Sequence, residues 1–212
     1  MIESPSTPIP LNKEALASAV DQLVVIDPDL AGIAQKIGLP PLWERPAGFA
    51  TLIHIILEQQ VSLASAKAAF ERLLALASPL TPARFLAFDE ATLKAIGFSR
   101  QKAGYGRLLA EALLAGQLDL TALEQMDDAT VRAQLTAIKG IGPWTANIYL
   151  LMVLRRPDIW PSGDLALAVA VQQIKQLPAR PTTPELETIA LAWQPWRAVA
   201  ARLLWHHYLS KE

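Results

Sequence analysis

The 212-residue chain contains no cysteine. This excludes a disulfide framework, a thiolate zinc site and a cysteine-held iron–sulfur cluster. Histidine is scarce: His54, His206 and His207 are the three present, and none stands at metal-ligand spacing with an acid. They read as structural or surface groups. No apolar run reaches the roughly 18 residues that a membrane helix needs. The opening residues Met1-Ile2-Glu3-Ser4-Pro5-Ser6 lack the basic start and apolar block of a secretory signal. A cytoplasmic protein without a membrane partner is therefore expected. An excess of charge of one sign is missing too, with 19 basic against 20 acidic side chains and a net charge of −1. Any grip on a polyanion must be local rather than a property of the whole surface.

What the chain does have is apolar and helical. Apolar residues make up 52% of it, enough for a packed core, and they are rich in Ala and Leu, which favour helices. Start and stop signals recur along the sequence. Asp27-Pro28 opens a helix that Gly38 stops, and a helix from Gly48 to about Leu57 ends near Glu58-Gln59-Gln60. Ser62 caps the next, Thr81-Pro82 starts a short one, and Asp89-Glu90 opens another that stops at Gly97. Ser99 to Leu114, Asp127 to Ile138, Pro143 to about Leu154 and Asp164 to about Lys175 follow. Two Trp-bearing helices, around 186–193 and 195–209, finish the chain. No segment alternates with the period of a strand. The predicted fold class is all-α.

The most informative segment is Lys139-Gly140-Ile141-Gly142-Pro143-Trp144-Thr145-Ala146. It reads as a tight glycine hairpin opening into a helix, with Pro143 in the first turn, where a missing N–H costs nothing. Both glycines are expected to permit positive φ and close approach of another backbone. Amides of Gly142, Trp144 and Thr145 at a helix N-terminus make a phosphate site. Twenty residues after Trp144, the run Trp160-Pro161-Ser162-Gly163-Asp164 sets a carboxylate at the start of another helix. A phosphate cradle followed by a positioned acid points to chemistry on a nucleic acid.

The segment from Leu135 to Ala146, followed by Pro161 and Asp164, resembles the helix-hairpin-helix/Gly-Pro-Asp superfamily of DNA glycosylases. Ile56-Leu57-Glu58-Gln59-Gln60-Val61-Ser62 is similar to the glutamine-bearing loop of that superfamily. Gly97-Phe98-Ser99-Arg100-Gln101-Lys102 and Trp193-Gln194-Pro195-Trp196-Arg197 are similar to its DNA-3-methyladenine glycosylase II branch. The resemblance implies a two-lobed helical bundle with the active site in a cleft between lobes. The expected lobes are 1–47 plus 164–212, and 48–163 carrying the hairpin.

The resemblance also implies roles. Asp164 is the expected catalytic carboxylate, with Asp158, a structural acid by resemblance, as its nearest rival. The N-glycosidic bond builds positive charge on the sugar as it breaks, which a carboxylate stabilises. Trp144 occupies the place of the lysine that makes bifunctional members lyases, so a monofunctional hydrolase is expected. An indole there also suits stacking on a flipped, cationic base. Of the C-terminal tryptophans, Trp196 is assigned to the same base pocket. Gln60 matches the wedge that fills the gap left by the flipped base, with Gln59 a weaker candidate. Gly140, Gly142, Trp144 and Thr145 are assigned to phosphate binding. Main-chain oxygens of Thr136, Ile138 and Ile141 are assigned to a structural monovalent cation, Na+ or K+, and no other cofactor is required.

The expected partner is double-stranded DNA carrying alkylated bases, the protein acting as a monomer and associating with the nucleoid when bound. The expected activity is release of 3-methyladenine and 7-methylguanine in base excision repair. The alternatives are a glycosylase for an oxidised or deaminated base and a non-catalytic structure-specific DNA-binding module. Ile148 stands where the methyladenine branch often has an aromatic, which leaves the range of accepted bases open.

Overall fold

A computed structural model describes residues 9–210. The described residues form twelve α-helices and one 3-10 turn, with no strand. The helices are α1 (Lys13–Ile26), α2 (Pro28–Ile37), α3 (Phe49–Glu58), α4 (Leu63–Leu76), α5 (Pro82–Leu86) and α6 (Glu90–Ala95). Then come α7 (Arg100–Leu114), α8 (Asp128–Thr136), α9 (Pro143–Met152), α10 (Leu165–Ile174), α11 (Thr183–Leu191) and α12 (Arg197–Leu209).

Short polar side chains set where most of these helices begin. Asn12, Asp27, Ser62, Thr81, Asp89, Ser99, Asp127 and Asp164 each accept a hydrogen bond from an amide of the following turn. Such caps satisfy donors that no helical carbonyl can reach. At α11 the Glu185 carboxylate reaches back and accepts from the Thr182 N–H at 2.7 Å.

The described chain divides into two compact units, Arg45–Tyr149 and residues 9–44 with 150–210. In the first unit α3 is the central element. Phe49, Leu52, Ile53, Ile55, Ile56 and Leu57 are all buried, so this helix is apolar nearly all round. Phe85 of α5 meets Phe49 edge-on at 5.7 Å and Phe98 at 5.8 Å. In the second unit α12 takes the central place, with every residue from Ala198 to Trp205 buried.

The expected lobe boundaries differ from these. Residues 150–163 group with the termini rather than with the hairpin segment. The reason lies in long-range backbone contacts within that unit. The fully buried Arg202 guanidinium donates to the carbonyls of Leu151 (2.7 Å), Leu42 (2.8 Å) and Ala198 (2.9 Å). Burial pulls its pKa down to about 9, and it remains charged at neutral pH. The Leu11 N–H also donates to the Arg155 carbonyl at 2.8 Å.

A second buried polar network ties α2, α10 and the segment after α11. Asp27 caps α2 and accepts from Trp193 Nε1 at 2.7 Å and Lys175 Nζ at 3.1 Å. Lys175 also donates to Asp29 at 3.0 Å. Burial alone would raise the Asp27 pKa, but the Trp193 and Lys175 hydrogen bonds outweigh it and hold it below the ordinary 3.8. A depressed carboxyl contributes stability above its unfolded pKa and loses it as pH falls through the folded value. Asp27→Asn is expected to lower unfolding free energy at pH 7 by about 1–3 kcal/mol, measured by urea denaturation. The gap to wild type should close below pH 3.8. A gap unchanged into strong acid would contradict the assignment.

Candidate functional site

The hairpin between α8 and α9 is closed by short-range hydrogen bonds. The Ile138 N–H donates to the Leu135 carbonyl at 3.1 Å, and the Ile141 N–H to the Ile138 carbonyl at 3.0 Å. The Ala146 N–H then donates to the Gly142 carbonyl at 3.0 Å, which makes Gly142 the residue that opens α9. Amides of Gly142, Trp144 and Thr145 thus fall in the turn that has no intrahelical acceptors.

The two glycines are there for different reasons. Gly140 has φ +100°, and a Cβ on it would sit 2.2 Å from Cγ of Tyr105. Both backbone conformation and packing demand glycine there. Gly142, expected to need positive φ as well, lies outside that region, and a Cβ on it would meet nothing within 4 Å. The fold of the chain itself places no demand for glycine at Gly142, which is exposed.

The two glutamines after α3 have different surroundings. Gln59 Nε2 donates to the Gly140 carbonyl and to Thr145 Oγ1, both at 2.9 Å. This clamps the end of α3 onto the hairpin and turns the buried Thr145 hydroxyl inward, so Thr145 has only its amide to offer outward. Gln60 is exposed and held at φ +55°, a conformation uncommon for non-glycine residues. Lys102, from α7, donates to the Leu57 carbonyl at 2.7 Å, where the negative end of the α3 dipole favours a cation. Burial lowers the Lys102 pKa. The Gln59 and Tyr105 contacts with the hairpin were missed by sequence reasoning. The only available signal for Gln59 was its place beside Gln60.

For a hairpin cation, the segment 136–142 offers main-chain oxygens and no carboxylate. Neutral carbonyls of this kind suit a monovalent ion. The Ile138 oxygen accepts from Ile141 and retains a second lone pair. The Thr136 hydroxyl is turned back onto the Arg132 carbonyl at 2.8 Å, which leaves its main-chain oxygen as the relevant group. Among the described residues no group of three or more His, Asp or Glu side chains is placed to hold a metal ion.

Asp164 lies in the other unit, at the N-cap of α10. Its Oδ1 accepts from the Leu167 N–H at 3.0 Å and from Trp205 Nε1 at 3.3 Å. Two donors converging on one oxygen fix the orientation of the carboxylate. Trp196, expected in the same pocket, donates its indole N–H to Gln22 Oε1 at 2.9 Å. Trp205 is the indole that the fold sets beside Asp164. The helical spacing of Trp205 looked like that of any core tryptophan, and nothing local distinguished it.

The rival acid, Asp158, is held by Arg197. Its two carboxylate oxygens each accept at 2.8 Å, from Nε and from a terminal nitrogen, and Oδ1 also meets the Arg197 N–H at 3.3 Å. That arrangement caps α12 and fixes the loop before it, as a structural acid would. In the loop before Asp158, Arg156 is buried, and Arg155 pairs with Glu44 at 3.4 Å. His54 stacks flat on Phe70 at 4.3 Å, a structural role as expected.

Comparison with known proteins identifies the family. A family model described as the HhH-GPD superfamily base excision DNA repair protein matches residues 53–197. The alkylbase DNA glycosidase-like protein mag2 of Schizosaccharomyces pombe is 29% identical over 194 residues, covering 88% of this chain and 91% of that protein. Two solved structures are similar over nearly the full length. The S. pombe 3-methyladenine DNA glycosylase Mag1, in complex with abasic DNA, gives a TM-score of 0.81 at 26% identity, covering 89% of this chain and 95% of that one. A DNA-3-methyladenine glycosidase from Bacillus halodurans gives 0.73 at 30% identity, covering 92% and 91%. The family model alone takes in the loop after α3, the hairpin, Asp164 and the start of α12, and the chain belongs to the HhH-GPD superfamily of base excision DNA repair proteins.

Proposed function

We propose that this protein is a monofunctional DNA glycosylase that hydrolyses the N-glycosidic bond of alkylated purines, 3-methyladenine and 7-methylguanine, in duplex DNA. The observation that carries the reading is Asp164, a carboxylate oriented by two donors at a helix start. The names of the similar proteins support the substrate class.

In this mechanism the C1′–N bond breaks with its electron pair leaving on the base, and positive charge develops on the sugar. Asp164 stabilises that charge and takes the proton of the attacking water as the new C1′–O bond forms. An alkylated purine starts as a cation and leaves neutral, so no strong general acid is needed. Trp144, where lyases have lysine, offers no amine for a Schiff base. It supplies instead a ring for the flipped base. Gln60 is the wedge, and amides of Gly142, Trp144 and Thr145 hold a phosphate. Main-chain oxygens of Thr136, Ile138 and Ile141 would hold a monovalent cation, which would supply positive charge beside that phosphate.

With methylated duplex DNA, wild type should release methylpurines, and Asp164→Asn, which keeps the cap, should release them about 100-fold or more slowly. Release by neither protein would end the enzyme reading. Borohydride should trap no covalent protein–DNA adduct; efficient trapping would overturn the monofunctional assignment.

A glycine pair separates grip from fold. Gly140→Ala should cost about 2–4 kcal/mol in urea denaturation, from overpacking against Tyr105 and the left-handed backbone. Gly142→Arg should leave stability within about 0.5 kcal/mol. Its bulk should nevertheless weaken duplex binding about fivefold or more, the loss of one charge-assisted anion contact outweighing the added positive charge. Unchanged binding would reduce the hairpin to a turn.

A further inference from the structure

Trp43, in the segment between α2 and α3, combines an unusual backbone conformation with a place beside the indole that reaches Asp164. It is a half-buried aromatic held at φ +48°, in the left-handed region that bulky side chains rarely adopt. The chain on either side pins it there. The buried Leu42 preceding it gives its carbonyl to the fully buried Arg202 guanidinium at 2.8 Å, and Glu44 following it pairs with Arg155 at 3.4 Å. Outliers fixed by their surroundings in this way cluster at ligand clamps and active sites.

Its neighbours point to the ligand. Trp43 meets Trp205 edge-to-face, with centroids 6.3 Å apart and planes at 73°. Trp205 is the indole whose N–H reaches the Asp164 carboxylate. On the same helix, His206 meets Trp43 at 6.4 Å and 84°. Neither neighbour stacks flat on the Trp43 ring. The ring therefore stands one aromatic removed from the reacting carboxylate, rigidly set and partly open.

We propose that Trp43 is a base-contacting residue that stacks on the cationic alkylated purine and sets the preference for such bases. The proposal rests on the glycosylase reading above. An indole is the side-chain ring that attracts a cation most strongly, and it contributes stacking area with few rotors to freeze. Neutral purines would gain the stack without the charge attraction.

Three proteins test it: wild type, Trp43→Phe and Trp43→Gly. Glycine tolerates the left-handed backbone, so Trp43→Gly removes the ring without adding strain. Two measurements are made on each: single-turnover release of 7-methylguanine from a defined duplex, and affinity for the same duplex carrying an abasic analogue. Trp43→Gly should slow release about tenfold or more, in keeping with a lost base–aromatic stack. Trp43→Phe should recover most of the rate, and abasic affinity should stay within about twofold for all three, since no base is there to stack. Undiminished release by Trp43→Gly would overturn the proposal. So would parallel loss of release and abasic affinity without rescue by phenylalanine, which marks a structural role. If wild type binds the abasic duplex but releases no base, the glycosylase reading itself fails, a result distinct from both.

Discussion

A helix begins with amides that its own carbonyls cannot reach, and this constraint organises both the fold and the site. At most helix starts in this protein an Asp, Asn, Ser or Thr side chain supplies the missing acceptor. At α10 that acceptor is Asp164, so the same hydrogen bond that starts the helix also holds the carboxylate still. At α9 the opening residue is Gly142, which has no side chain to offer. The start of α9 is thus built on a different plan from the starts that an Asp, Asn, Ser or Thr side chain caps.

Much of this logic was legible in the sequence because capping is local. Asp27-Pro28, Ser62, Thr81-Pro82, Asp89, Ser99, Asp127 and Asp164 all act where their types and spacing placed them. The hairpin was legible for the same reason. What the sequence could not supply was the partner across space. Gly140 and Gly142 look alike in a string of letters, yet only Gly140 faces a Tyr105 ring from a helix some 35 residues earlier. Gln59 and Gln60 are neighbours, yet Gln59 turns in onto the hairpin while Gln60, at φ +55°, is exposed.

The tryptophans show the same limit more sharply. Trp196 and Trp205 sit on or beside one helix, and both have indole donors that need acceptors. Which one reaches Asp164 depends on how α12 is rotated against α10, and that is fixed by burial along the whole of α12. Arg202 contributes to that setting. Its guanidinium occupies a fully buried position that a residue-by-residue reading would leave to a hydrophobe, and it is tolerable there because three carbonyls accept from it. The boundary after residue 149 follows from the same contact, since Leu151 is one of those acceptors.

Charge completes the picture. The net charge is −1, and several of the basic side chains are committed to internal partners. Arg202 holds carbonyls, Arg197 holds Asp158, Lys175 holds Asp27 and Asp29, and Lys102 sits on the end of α3. Arg45 is paired in two places with the buried Glu58, just before the glutamine pair. These cations cannot turn to a phosphate without abandoning an internal partner, and where that partner is buried, as with Glu58 and Asp27, the loss costs more than an exposed contact returns. With a net charge of −1 the chain as a whole exerts no general pull on a polyanion, and any grip on one has to be local. Where such a grip comes from oriented backbone dipoles it carries no net charge and releases few counterions, which favours a correctly docked duplex over loose attraction to any stretch of DNA.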